Sequence, residues 1–490
     1  MENTTNLLLR YISTTPQDKL DAGAISFYAN YEKTKEVSPE IADCIINELE
    51  DQRSNLKLIA SENYCSLSVQ AAMGNLLTDK YAEGYPYHRF YAGCDNIDKI
   101  EAEAVRLACE LFGADHAYVQ PHSGADANMV AFLTILSAKV ERPLMEEMGF
   151  TDVAKMSRDD FNKIRGAYGQ QKLLALDYYS GGHLTHGYRH NFSSILFDAH
   201  AYAVNKETNL LDYDDIRKRL HEVKPLIFLA GYSAYPRKIN FAKMRELADE
   251  VGAVFMVDMA HFAGLVAGGA FAGDYNPVPF AHLVTSTTHK TLRGPRGGVV
   301  LCQKEYTDFL NRGCPTLLGG PLPHVMAAKV LAFKEALSPS FRQYAANIIE
   351  NAQALAAALI KRGVSVLTDG TDNHLMLLDV QKTYGLTGRQ AESALRASGV
   401  TLNRNALPFD VNGPWYTSGL RLGTPAVTTL GMSAGEMESI AEIIDNILRN
   451  TKVVSDSKAK FETNSAAAEE SKKRAQELLS RFPLYPEIII

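Results

Sequence analysis

The sequence predicts an α/β protein: a mostly parallel sheet flanked by helices, a smaller α/β domain after it, and a helical arm ahead of both. Three observations carry that prediction. Short β-type runs recur at residues 117–119, 173–177, 225–235, 253–261 and 281–288, and each ends in small, polar or charged residues. Apolar runs without alternation mark strands buried on both faces, as in parallel sheets. Helical periodicity separates several of them, at residues 98–112 and 241–251, which is the pattern of a sheet with helices on its faces. The chain also has 490 residues, 46% of them hydrophobic, more than one core usually holds. The expected division is an arm at residues 1–58, a large domain at 59–340 and a small domain at 341–490.

In the arm, Ser38-Pro39-Glu40 reads as a helix start, with proline and an acidic residue in the first turn. Ile41, Ile45, Ile46 and Leu49 then share one face. Residues 56–63 read as a short strand ending in Ser61-Glu62-Asn63. Residues 80–94, dense in glycine, proline and tyrosine, read as an irregular contact loop. Residues 117–128 read as strand, turn and helix, with Ser123 and Gly124 where backbone N–H groups can approach an anion. Residues 140–172 are a polar helical excursion, taken as a surface insertion with a helix start at Ser157.

Beyond the large domain, a long helical section runs from His324 to about residue 362. Strands are expected at 364–367 and 374–380, a helix at 387–397, and a short strand at 419–425, closed by glycine and proline and carrying a single arginine, Arg421. Residues 436–449 are an amphipathic helix, 451–470 a loose linker, and 471–481 a last helix.

Composition excludes several classes. A net charge of −7 argues against nucleic acid as a partner. Six cysteines without a CxxC pair fit free thiols in a reducing compartment. No apolar run is long enough to span a bilayer, and Leu7-Leu8-Leu9 lacks the basic flank of a secretory signal. A cytoplasmic protein is the expectation. His183, His186 and His190 have a spacing that could suit a metal, but the glycines around them interrupt the helix that would aim them together, and no metal is expected.

The strand ends carry the chemistry. Ligands of open parallel sheets sit outside the C-terminal strand ends, and Ser123, His183, Ser233, Asp258 and Lys290 all fall there. Lys290 follows a strand among hydroxyls and beside His289, the placement of a Schiff-base lysine, which burial and a neighbouring cation make neutral enough to attack a carbonyl. An isolated arginine in an apolar strand needs an anion, either a structural carboxylate or a bound one. A lysine, an aspartate for a ring nitrogen, a flat histidine, a phosphate turn and a carboxylate-binding arginine together fit pyridoxal 5'-phosphate. Neither a Walker loop nor a dinucleotide fingerprint is present.

These residues stand in motifs that resemble the serine hydroxymethyltransferases, a family of fold-type I pyridoxal-phosphate enzymes. The matching stretches are Leu58-Ile59-Ala60-Ser61-Glu62-Asn63-Tyr64, residues 80–84, Gln120-Pro121-His122-Ser123-Gly124, and residues 181–187, 257–264, 287–298 and 417–426. The resemblance implies a seven-stranded large-domain sheet and a homodimer, or a tetramer, with shared active sites. It implies transfer of the serine hydroxymethyl carbon to tetrahydrofolate, giving glycine and methylenetetrahydrofolate through aldimine and quinonoid intermediates. Lys290 would hold the cofactor covalently, Asp258 would pair with its ring nitrogen, and His183 would stack on the ring. His261 and Ser233 would lie near its phenolic oxygen, and Ser123, Gly124, Ala125, His289 and a neighbour's Gly320 around its phosphate. Arg421 and Ser61 would bind the substrate carboxylate, Thr287 would guide exchange at the lysine, and Glu83 would transfer a proton. Tyr81 and Tyr91 would reach the neighbour's site. Phe90, Tyr178, Gly182, Leu184, Asn405, Gly413, Pro414 and Trp415, with Glu83 and His183, match folate-binding positions.

The chain departs from the family pattern in places. Ala125 replaces a serine that would bond the phosphate, Phe90 replaces a tyrosine, and Cys314-Pro315-Thr316-Leu317-Leu318 precedes Gly319 where the family is glycine-rich. Threonine aldolase, racemase or aminotransferase chemistry on the same scaffold is the rival reading within enzymes, and an RNA-binding regulator the rival outside them.

Overall fold

The computed structural model describes residues 6–490. Among them, seven strands build the central sheet: β1 (His116–Tyr118), β2 (Lys172–Leu176), β3 (Asp198–Tyr202), β4 (Ile227–Gly231), β5 (Val254–Asp258), β6 (Leu283–Thr287) and β7 (Gly298–Cys302). They lie in the order β1-β7-β6-β5-β4-β2-β3, parallel except for β7, which runs against both its neighbours. β5 shows why the run of Val, Phe and Met reads as a strand buried on both faces. Phe255 and Val257 enter the core on one side of the sheet, Val254 and Met256 the core on the other. Burying each such side chain contributes roughly 1.5–3 kcal/mol.

β3 and the following helix Tyr213–Val223 were not legible as apolar runs. β3 is the sheet edge, reads Asp-Ala-His-Ala-Tyr, and keeps only Tyr202 fully buried. Edge strands need no continuous apolar face.

The arm is helical at Leu7–Thr14, Ala22–Val37 and Pro39–Ser54. Ser38 caps the third helix by accepting the Ile41 N–H. The inward stripe of that helix is Ala42, Ile46 and Leu49, while Ile41 and Ile45, expected on the same face, stay exposed. Arg53 donates to the carbonyls of Leu484, Tyr485 and Ile488, so the C-terminal segment lies along the arm. Of residues 56–63 only Leu56–Lys57 is a strand, and it pairs with Val400–Thr401. The contact loop contains a small hairpin, Gly84–Tyr85 with His88–Arg89. It is anchored by the buried Arg89 guanidinium, which donates to Asp98 at 2.8 Å and Glu101 at 2.6 Å.

The long helical section breaks at Ser338-Pro339 into Pro323–Ala336 and Pro339–Lys361, because Ser338 caps a new helix and proline occupies its first turn. The small sheet comprises β8 (Leu375–Asp379), β9 (Asn403–Asn405) and β10 (Gly419–Gly423), antiparallel in the order β8-β10-β9. The strand expected at 364–367 is instead a single bridge from Val366 to Leu378 and a 3₁₀ turn, Leu367–Asp369. Residues 451–470 are not a loose linker. They form a hairpin, Thr451–Val453 with Phe461–Thr463, and open the helix Ser465–Ser480. The segment is polar because most of it faces solvent, yet Thr451 is buried.

Candidate active site

Four strand ends of the central sheet converge on one cavity of 440 Å³, closed on its far side by β9 and β10 of the small sheet. Lys290 and His289 enter it from the turn after β6, Ser233 from the turn after β4, and His261 from the segment after β5. Tyr178, Gly182, His183 and Leu184 enter it after β2, and Ser61 from the N-terminal side. Gly182 is there because a Cβ would lie 2.0 Å from the Leu176 carbonyl oxygen, so only glycine lets the chain fold back over the end of β2.

Asp258, the last residue of β5, stands behind the cavity in a closed hydrogen-bond set. Its Oδ2 accepts from Asn128 Nδ2 at 2.9 Å and His186 Nε2 at 3.2 Å, and its Oδ1 from the Ala260 N–H. Burial alone would raise this carboxyl. The His186 and Asn128 donors and the nearby His183 outweigh it and hold the group well below the usual carboxylate range. Asn128 is itself fixed by Thr285, whose hydroxyl donates to Asn128 Oδ1 at 2.5 Å, and by Thr185 at 2.7 Å. Thr185 also holds His183, at 2.8 Å from His183 Nδ1. Burial pushes His183 down to about 4, so its ring is neutral at physiological pH and can lie against a flat aromatic ligand.

Removal from water pushes the Lys290 amine down to about 8, with Arg421 and Arg296 adding to the shift and Asp258 opposing it. A sizeable fraction is therefore neutral and nucleophilic near neutral pH. Its backbone is tied by Asn63, whose Nδ2 donates to the Lys290 carbonyl at 2.9 Å and whose Oδ1 accepts from Thr429. Thr287 is buried and donates to the Ala260 carbonyl at 3.3 Å.

Arg421 sits at the centre of β10. Its Nε donates to Asn403 Oδ1 at 3.1 Å and its Nη1 to the Ser233 carbonyl at 2.7 Å. No carboxylate among the described residues pairs with it, so a structural salt bridge is not its role here. Two neutral acceptors aim the fork and leave its remaining donors for an incoming carboxylate.

Ser123 caps the helix Gly124–Leu136, its hydroxyl accepting the Asp126 N–H, so Gly124 and Ala125 occupy the positive helix end. These three residues stand at the strand-end edge but outside the cavity wall. β7 passes close to the turn because Gly298 has no Cβ, which would lie 2.3 Å from the Ser123 carbonyl oxygen. Beneath the turn lies a buried cation that the sequence did not reveal. Lys329, 1% exposed, donates to the carbonyls of Val119, Pro121 and Gly298. His289 Nδ1 and His122 Nε2 are buried without hydrogen-bond partners. The set fits pyridoxal phosphate: a helix end with unused donors for the phosphate, an ionised aspartate for the ring nitrogen, a neutral flat histidine, an amine for the aldehyde and an arginine for a carboxylate.

Not every expected residue joins this cavity. Glu83 is half-buried in the hairpin loop and does not line it. Tyr81, Phe90 and Tyr91 of the same loop are exposed at 56%, 65% and 49%. Gly320 lies against Tyr81, where a Cβ would be 3.1 Å from the ring, so these residues form a separate surface. Of the positions expected to meet folate, Asn405 and Pro414 line the cavity with Tyr178, Gly182, His183 and Leu184. Gly413 and Trp415 stand on the short helix Gly413–Tyr416 outside the lining, with Arg389 and Arg404 over the Trp415 ring. His183, His186 and Asp258 bring donor atoms within 4.8 Å of one another, but His186 already donates to Asp258 and accepts from the His183 N–H. His190 is exposed and points away to Tyr188. His374, which no strand-end argument singled out, lies 3.1 Å from His261.

The family description "Serine hydroxymethyltransferase" matches residues 34–149 and 167–444. The chain belongs to the serine hydroxymethyltransferase family. A serine hydroxymethyltransferase of Treponema pallidum (strain Nichols) is 56% identical over 486 residues, 98% of this chain and 84% of that protein. Those of Cutibacterium acnes (strain DSM 16379 / KPA171202) and Mycolicibacterium smegmatis (strain ATCC 700084 / mc(2)155) are each 52% identical, covering 97% and 96% of this chain and 98% and 96% of theirs. The match to the serine hydroxymethyltransferase description breaks after residue 149 and resumes at 167, within the stretch read as an insertion. That stretch contains the helix Arg158–Tyr168, capped by Ser157.

Proposed function

We propose that this chain transfers the hydroxymethyl carbon of L-serine to tetrahydrofolate, giving glycine and methylenetetrahydrofolate, with pyridoxal phosphate carried on Lys290. The observation that carries the reading is the convergence of Lys290, His183 and an Arg421 without a carboxylate partner on one cavity, with Asp258 hydrogen-bonded behind it, in a member of this family. When bound, pyridoxal phosphate supplies a ring that accepts the electron pair left at the substrate Cα.

The residues divide the remaining work. Lys290, partly neutral, provides the amine and takes part in proton exchange at Nζ. Asp258, held ionised, keeps a proton on the ring nitrogen and with it the ring's electron demand. Arg421 holds the substrate carboxylate, with Ser61 beside it, which orients the Cα substituents relative to the ring. Tyr178, Leu184, Asn405 and Pro414 form the wall where folate binds. Ser123, Gly124 and His289 receive the phosphate, with one hydroxyl fewer because residue 125 is alanine.

Glu83 is the proton-transfer group for the hydroxymethyl step and acts in the cavity of a second copy, with Tyr81, Tyr91 and Gly320. The exposure of Tyr81 and Tyr91, and the placing of Glu83 and Gly320 beside them away from this chain's own cavity, support a homodimer with shared sites. The free thiols of Cys44, Cys65, Cys94, Cys109 and Cys302 support a cytoplasmic setting. No helix among the described residues is long and apolar enough to cross a membrane.

Mixing tests both parts. Glu83→Gln and Lys290→Ala proteins, each inactive alone, should regain part of the serine- and folate-dependent activity when co-expressed, because a mixed dimer holds one intact site. No recovery despite mixed dimers on a sizing column would refute shared sites. Wild-type protein that shows no cofactor absorption after incubation with pyridoxal phosphate would refute the function itself.

A further inference from the structure

His261 and His374 form a buried pair that joins the two sheets' domains. His261 follows β5 and lines the cavity, while His374 directly precedes β8. They are 2% and 0% exposed, their rings are stacked at 27°, and His261 Nδ1 lies 3.1 Å from His374 Nε2. The other nitrogen of His374, Nδ1, is buried and has no hydrogen-bond partner.

Burial and the positive charges of Lys290 and Arg421 disfavour the protonated form of both rings. Each neutral imidazole carries one proton, so one ring donates and the other accepts. If His261 Nδ1–H donated, the His374 proton would have to sit on Nδ1, leaving a buried N–H with no acceptor. If His374 Nε2–H donates, the partnerless atom is only a lone pair. Orphaned buried N–H groups are the rarer and costlier of the two. The second arrangement places the His261 proton on Nε2, the nitrogen of this cavity-lining ring that His374 does not engage.

We propose that His374 is a positioning residue that holds His261 in its Nε2–H tautomer, so that His261 meets the cavity as a hydrogen-bond donor to an anionic oxygen of the bound cofactor. The inference rests on the reading of the cavity as a pyridoxal-phosphate site, and its target is the phenolic oxygen. Carried across from the small domain, the tautomer also depends on how the domains are seated. A domain movement that parts the two rings would release His261 to the other tautomer.

Histidine-selective ¹⁵N NMR of the full-length protein, with and without pyridoxal phosphate, reads the tautomer directly, and spectra of His261→Asn and His374→Gln assign the resonances. The expected result is a protonated Nε2 and an unprotonated Nδ1 on His261 in both states. A protonated Nδ1 overturns the proposal. His374→Leu should shift the absorption of the bound cofactor and weaken its retention about tenfold or more, the effect of one hydrogen bond to a charged group. His374→Gln, whose amide N–H can replace Nε2–H, should restore most of both. Equal losses in Leu and Gln variants with an unchanged His261 tautomer would mean a merely structural role and overturn it. Because the tautomer is read in cofactor-free protein as well, failure of the cofactor reading and failure of this inference give different results.

Discussion

Arg421→Lys isolates what the arginine fork contributes beyond its charge. Arginine has five N–H donors in a fixed plane. Two are committed in this structure, Nε to Asn403 and one on Nη1 to the Ser233 carbonyl, at 3.1 and 2.7 Å. The remaining three have no hydrogen-bond partner among the described residues, and Arg421 lines the cavity. A lysine has three donors on a single atom, cannot span both anchors, and cannot offer two parallel bonds to a carboxylate. At least one charge-assisted hydrogen bond to the substrate is lost, at about 1.5–3 kcal/mol. With about 1.4 kcal/mol per factor of ten, glycine and serine affinity should fall roughly 10- to 100-fold. Arg421→Leu, which also removes the charge, should fall further. The assay is a glycine titration followed by the absorption of the bound cofactor, with cofactor affinity measured separately. Cofactor affinity should change little, since Arg421 contacts neither the phosphate turn nor Asp258. Unchanged glycine affinity in the leucine variant, or an equal loss of cofactor and glycine, would refute the assignment of the fork to the substrate carboxylate.

Three further outcomes follow from the site. Only the neutral Lys290 amine reacts with an aldehyde, and burial sets its pKa near 8, so the second-order rate of pyridoxal-phosphate uptake by the cofactor-free protein should rise with pH through about 8 and level off above it. Stopped-flow absorbance checks this, and a rate that climbs only toward the ordinary lysine range, about 10.4, would contradict it. Ala125→Ser returns a hydroxyl to the first turn of the helix at the phosphate turn and should slow cofactor loss on dialysis, by about tenfold if the hydroxyl makes one charged hydrogen bond. Lys329→Met leaves the Val119 and Gly298 carbonyls without their buried donor, at about 1–3 kcal/mol each, and should lower the melting temperature of the cofactor-free protein; an unchanged melting curve would show that the cation is dispensable.

The large sheet was legible because its strands are short, continuous and apolar, and because each functional residue sits within a few positions of a strand end. Asp258 and Lys290 needed no tertiary information: chain order alone puts them on one edge once the strands are parallel. Arg421 was legible for a related reason, as a lone charge in Gly-Leu-Arg-Leu-Gly that no sheet face would bury without purpose. The edge strand β3, the hairpin at 451–463 and the break before Pro339 were missed or blurred, since solvent-facing strands and capped helix junctions leave a weak apolar period.

What sequence reading missed at the site is the polar support one layer back. Asn128 is 0% exposed in the largely apolar helix Gly124–Leu136, and Lys329 stands at Ala-Ala-Lys-Val-Leu on an inward helix face. A polar residue on an apolar face was a signal in both cases, but only the fold shows that one donates to Asp258 and the other to the backbone of the turn before Ser123. His374 offered less. Its partner is 113 positions away, and a histidine opening a strand is usually unremarked. Such support is set by distance in space rather than along the chain. The matched stretches contain Asp258, His183 and His261 together with His186 and Thr185, whereas Asn128 and His374, which also hydrogen-bond Asp258 and His261, lie outside them. That division makes the supporting residues the informative ones to vary: under the proposed function, replacing Lys290 or Asp258 removes the chemistry outright, whereas replacing Asn128, Lys329 or His374 leaves every proposed ligand-contacting group in place and alters the state in which it waits.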